Sequence, residues 1–148
     1  MLPSIRSLLV VVTIALSCHY SDAQCFATGL GCRNAITNIG CGTHPRIGTT
    51  FVITPGNKCP SKISILAFGG CNNRPLPWPA TCMECRNCNL DVFPVLALLA
   101  WDGVTDLKLP IPNDPGLVGA ETCVQNACSI PARSCACLSN AIWIRIIN

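Results

Sequence analysis

The amino-acid sequence predicts an all-β fold: one antiparallel β-sandwich, jelly-roll or immunoglobulin-like, disulfide-rich, with no large helix in the mature chain. Three observations carry that prediction. Short apolar segments rich in branched residues alternate with clusters of glycine, proline and asparagine, the punctuation of strands and turns. No segment offers a long helical period bounded by caps. Thirteen of the 148 residues are cysteine, a share that in a short chain marks a disulfide scaffold.

Residues 1–23 read as a secretory signal peptide. Arg6 precedes the apolar run Leu8 to Leu16, a polar stretch follows, and Ser21 and Ala23 supply small residues for cleavage after Ala23. The run is far shorter than the ~20 residues a spanning helix needs, so no membrane span is expected in the mature chain. Cleavage removes Cys18 and leaves Cys25, Cys32, Cys41, Cys59, Cys71, Cys82, Cys85, Cys88, Cys123, Cys128, Cys135 and Cys137. An even number in an exported chain is what complete pairing requires, so about six disulfides and a secreted, extracellular or cell-surface location are expected.

Residues 24–148 then form a single domain, with no internal repeat and no dividing linker. Strands are predicted at Ile47 to Thr54, Lys62 to Phe68, Val92 to Trp101, Val104 to Ile111, Leu117 to Gln125 and Ala136 to Ile147. Two of them alternate clearly. Ile142, Ile144 and Ile146 share one face against Trp143 and Arg145, and Thr105, Leu107, Leu109 and Ile111 oppose Asp106 and Lys108. Asp102-Gly103, between two apolar runs, predicts a hairpin turn because both residues tolerate positive φ.

Only 11% of the residues are charged, which excludes a charge-rich disordered tail, a coiled coil and a nucleic-acid arm. The net charge of +3 is small, and the mature basic residues form no run, so nucleic acid is not an expected partner.

The group Cys82-Met83-Glu84-Cys85-Arg86-Asn87-Cys88 admits three chemistries. C-x-x-C loops wrap zinc, open some iron–sulfur runs, or act as redox pairs. The iron–sulfur run lacks its fourth cysteine and proline; zinc would need Cys135-Ala136-Cys137 or His44; the redox motif has no βαβ setting. Export favours structural disulfides, reaching outward to different segments and pinning the loop between Gly69 and Leu90, and neither metal nor cofactor is expected. Residue spacing leaves the connectivity open.

No G-x-S-x-G, H-E-x-x-H, P-loop or dinucleotide fingerprint is present. Asp102 and Asp106 are better explained by a turn and a solvent face than by a carboxylate pair or calcium site, and His44 by an exposed loop. An enzyme is therefore not expected. For binding, Trp78 stands out in Pro75-Leu76-Pro77-Trp78-Pro79, where proline stiffening could hold the indole outward for a sugar or a partner surface. Capping the end of the core is the blander reading of Trp78, and it carries more weight. Trp101 and Trp143 lie on predicted strands and are expected to be packed. Many apolar positions with little charge also fit an adhesive surface.

The landmarks Arg46-Ile47-Gly48-Thr49-Thr50-Phe51, Ile65-Leu66-Ala67-Phe68-Gly69, Cys88-Asn89-Leu90, Leu109-Pro110-Ile111-Pro112-Asn113-Asp114-Pro115-Gly116-Leu117-Val118-Gly119, Gln125 and Leu138-Ser139-Asn140-Ala141-Ile142 follow one another in order. In this the chain resembles an uncharacterised secreted domain of planctomycetes and related bacteria. The resemblance implies an all-β extracellular module without catalytic residues, and a bridge between Cys32 and Cys88. The heavy cysteine load departs from that family's pattern. The expected function is a secreted, non-enzymatic structural or adhesive component of the cell surface or matrix. The alternative is a soluble binding module, carbohydrate-binding or an inhibitor of a secreted protein, that uses Trp78 to engage a cell-surface glycan or another secreted protein.

Overall fold

The computed structural model describes residues 24–29, 31–32, 37–78, 85, 87–133 and 135–148. The expected signal peptide at 1–23 and Cys82 lie outside the described residues.

Among the described residues eight strands form two antiparallel sheets. They are β1 (Cys25–Thr28), β2 (Asn38–Cys41), β3 (Thr50–Asn57), β4 (Ser64–Trp78), β5 (Cys88–Trp101), β6 (Leu107–Pro110), β7 (Glu121–Ile130) and β8 (Cys135–Arg145). The larger sheet runs β1-β8-β7-β4-β5 and the smaller β2-β3-β6. Strands β3 and β6 pair in one sheet while β4, β7 and β8 are neighbours in the other, which is the immunoglobulin-like rather than the jelly-roll order. A 3-10 turn, Pro115–Leu117, opens the connection to β7, with the Asp114 carboxylate accepting from the Gly116 N–H. It occupies the start of the segment whose branched residues predict strand from Leu117.

The core lies between the sheets. Leu66, Trp101, Val124, Ile142 and Ile144 from the large sheet meet Ile39, Phe51 and Ile53 from the small one. Leu107, Leu109 and Ile111 pack against them, so the alternation read in the sequence for β6 and β8 is the alternation observed. Two links clasp the sheets together. Cys25 on β1 is bridged to Cys41 on β2. The Asn140 side chain on β8 grips the backbone of Ile39 on β2, accepting from its N–H and donating to its carbonyl, each at 2.9 Å.

Asp102-Gly103 does not close a hairpin. β5 pairs with β4 and β6 with β3, so this turn carries the chain from one sheet to the other. The conformational preference was read correctly, since Gly103 has φ +64, but pairing partners are decided by the core. The Asp102 carboxylate accepts from the N–H groups of Val104 and Thr105 and from the Thr105 hydroxyl, and the Trp101 indole N–H donates to the Thr105 carbonyl. Those bonds hold Asp102 below the usual carboxylate range, the Thr105 N–H contributing most.

The segment after Gly69 also differs from its sequence reading. It is not a loop but the outer half of a long β4–β5 arm, paired from Ser64 opposite Trp101 to Trp78 opposite Cys88. Up to Gly69 the arm sits in the sheet beside β7; beyond it, Gly69 and Gly70 let the ribbon turn over the sheet's outer face. A Cβ on Gly69 would lie 2.0 Å from the Pro94 carbonyl oxygen, so only glycine permits that approach. The prolines are tolerated because β4 has no second neighbour there. The arm is fastened by Cys71–Cys123, Cys32–Cys88 and Cys85–Cys137, while Cys59–Cys128 ties the β3–β4 connection to β7. Cys135 is also disulfide-bonded. The Cys32–Cys88 bridge is the one the family resemblance implies, and Cys85 and Cys88 do reach different segments.

Candidate functional site

The arm and the edge of the large sheet enclose an open groove of about 560 Å³. One wall is β1 and β8. Phe26 stands directly opposite Trp143 in the ladder, and the two rings lie 4.8 Å apart, tilted by 33°. Phe26 remains 45% exposed. The other wall is the root of the arm, Gly69 to Cys71 with Asn73, and Glu121 and Thr122 of β7 close one end. The alternation of β8 explains the placement: with Ile142 and Ile144 turned into the core, Trp143 must face outward. Trp143 is therefore half-buried, covered by Phe26 rather than sealed in the core; Trp101 is packed there as expected.

Polar groups of the groove differ in how far they are committed. The Thr122 hydroxyl is within reach of the Gly69 and Cys123 carbonyls. Glu121 faces Arg145 at 3.7 Å, with both side chains about half exposed. A second hollow of about 280 Å³ shares Thr28, Cys71 and Asn73 with the groove and extends it to Asn72, Pro75 and Asp91.

Beneath the arm lies a buried polar cluster. The Gln125 amide oxygen accepts from the Asp91 N–H at 2.9 Å, and its nitrogen donates to the carbonyls of Asn89 and Ser139, each at 2.9 Å. The Asp91 carboxylate lies 3.2 Å from the same nitrogen and also accepts from the Gly31 N–H at 3.3 Å. Burial raises the Asp91 pKa, and these two donors pull it partway back. Its hydrogen bonds run from strand to strand, so the cluster fastens the arm to the sheet.

The second surface with functional character is β5 itself. It is the outer strand of the large sheet, and from Phe93 to Ala100 every residue is exposed. Leu96 is 78% exposed and Leu98 67%. No charged residue interrupts the strand between Asp91 and Asp102. Proteins ordinarily blunt such an edge with charge, proline, bulges or brevity; here Pro94 and a register shift mark only the start of the stretch, and Ala97 to Ala100 run on without charge, proline or bulge. The other three edge strands here are only four residues each.

Trp78, the binding residue picked from sequence, is 37% exposed at the far end of the arm and lines neither hollow. It sits on a paired strand opposite Cys88, not in a free loop. His44 is exposed, and Asp102 is engaged in its turn. Cys85, Cys88, Cys135 and Cys137 are all disulfide-bonded, and Cys85 and Cys88 pair with Cys137 and Cys32 rather than with each other. Phe26 and Thr28 were missed by the sequence reading because β1 is too short to be recognised; the alternation that turned Trp143 outward was the available signal. No family model, no curated protein and no solved structure matches the chain.

Proposed function

We propose that the protein is a non-enzymatic, exported structural or adhesive component of the cell surface or matrix, and that it assembles with a second copy of itself through β5. The open apolar edge of β5 carries this reading. Antiparallel pairing of two β5 strands would satisfy the unpaired backbone groups of both and cover the leucines on either side. By their exposures, Ile65, Phe93, Val95, Leu96, Leu98 and Leu99 offer the equivalent of about three large residues. At about 150–200 Å² each their exposed area is roughly 500–600 Å² per protomer, an upper bound on what edge-to-edge pairing would cover, against the ~800 Å² of a standard interface. The disulfides fit a component that must keep its shape outside the cell. The resemblance to the secreted planctomycete domain supports the same assignment.

Analytical ultracentrifugation of the mature, fully oxidised protein tests the proposal. A dimer that becomes monomeric in Leu98→Lys is expected, since the ammonium would sit in the middle of the paired strands. A wild-type protein that stays monomeric at about 100 µM, or a dimer untouched by Leu98→Lys, overturns it.

A further inference from the structure

We infer that the groove between Phe26–Trp143 and the root of the arm binds a neutral glycan chain, with a pyranose ring laid on the exposed Phe26 ring. This rests on the groove alone and not on the β5 contact, so the two proposals fail separately.

The class of ligand follows from the lining. Aromatic faces carry partial negative charge and attract polarised C–H groups, and one face of a pyranose presents a row of these. The same ring carries hydroxyls around its rim, which need donors and acceptors at the sides of the platform. Asn73 and Thr28 supply both: neither side chain has a hydrogen-bond partner among the described residues. Glu121, half exposed at the end of the groove, adds an acceptor for hydroxyl protons.

The lining also argues against other ligands. A carboxylate beside the platform disfavours sulfated, phosphorylated or uronate-rich chains, and the guanidinium of Arg145 already faces that carboxylate at 3.7 Å. The amide, hydroxyls and carboxylate leave the groove too polar for an acyl chain. Its volume lies within the ~300–1,000 Å³ of ordinary ligand clefts. It is open and continues into the hollow beside Asn72 and Pro75, so a chain can run along it rather than a single sugar being enclosed. The wall is rigid, because Phe26 follows the bridged Cys25 and Cys71 is bridged to Cys123. Little ordering is left to be done at binding, and a shallow site gains from that.

The experiment uses the mature, oxidised protein and follows tryptophan emission and isothermal titration heats with cellohexaose, chitohexaose and mannohexaose, and with a heparin hexasaccharide as the anionic probe. Saturable binding of at least one neutral hexasaccharide is expected. Phe26→Ala should weaken it about tenfold and Asn73→Ala about two- to tenfold, the loss of one stacking contact and of one hydrogen bond. Both positions are exposed, and intact mass with circular dichroism verifies that each variant keeps its bridges and fold. No binding of any neutral probe at about 5 mM overturns the inference. So does affinity unchanged in both variants, loss confined to Trp78→Ala, or preference for the heparin fragment.

Discussion

Replacing Gln125 by leucine should be among the most damaging single changes in the chain, although the two side chains are of similar volume. Gln125 is 1% exposed, and its amide serves the arm and the sheet together. The nitrogen has two hydrogens and three acceptors in reach, so the two carbonyls at 2.9 Å are its main partners and the Asp91 carboxylate at 3.2 Å takes a minor share. Leucine would leave the Asp91 N–H and the Asn89 and Ser139 carbonyls without their partner inside the protein. A buried orphan costs about 1–3 kcal/mol, so three of them cost roughly 3–6 kcal/mol once the arm relaxes and some water enters. Against a total of about 5–15 kcal/mol that is a large fraction. In thermal unfolding with the disulfides intact it corresponds to a fall of at least about 10 °C. Guanidinium denaturation followed by tryptophan emission gives the same quantity independently. A loss below about 1 kcal/mol, the range of an ordinary surface substitution, would refute the argument that this amide fastens the arm.

Two further outcomes follow from neighbouring features. Because burial raises the Asp91 pKa above 3.8, the folded protein binds its proton more tightly than the unfolded chain. Stability contributed by this residue is therefore greatest in acid, declines as pH rises from 3.8 through the folded value, and is level above it. Asp91→Asn, whose amide oxygen can still accept from Gly31 and Gln125, should abolish that decline, as melting temperatures between about pH 3 and pH 8 will measure. Removing the inter-sheet bridge in a Cys25→Ala, Cys41→Ala double variant releases a ring with sequence separation 16, which should cost about 3 kcal/mol in denaturant titration while the remaining bridges preserve the fold.

The sequence made the class of fold readable because alternation and turn chemistry are local. In β8, isoleucines on one face and Trp143 and Arg145 on the other are what a half-buried strand requires. β1 and β2 escaped notice because four residues, one of them Gly40 in β2, are too few to display a period. The Asp102-Gly103 turn misled because positive φ specifies a bend, not which strand lies beyond it. β5 was recognisable as a strand, yet a continuous apolar run is the signature of burial, and only the sheet order places it at the edge. The groove was beyond sequence reasoning for a related reason: Phe26, Asn73 and Trp143 are brought together by strand pairing and by the folding over of the arm.

Gln24 and Arg145 lie side by side, since the Arg145 N–H bonds to the Gln24 carbonyl and Cys25 pairs with Ile144. A pull applied there would ordinarily peel β1 away from β8 one rung at a time, the weakest way to load a ladder. Here the first residue met is Cys25, whose sulfur hands the tension to Cys41. The described residues between them, 26–29, 31–32 and 37–40, then form a side loop outside that line of force. Phe26 and Thr28 lie on that loop, so a tether under load would leave their wall of the groove in place, and a reducing environment would expose it to being stripped off.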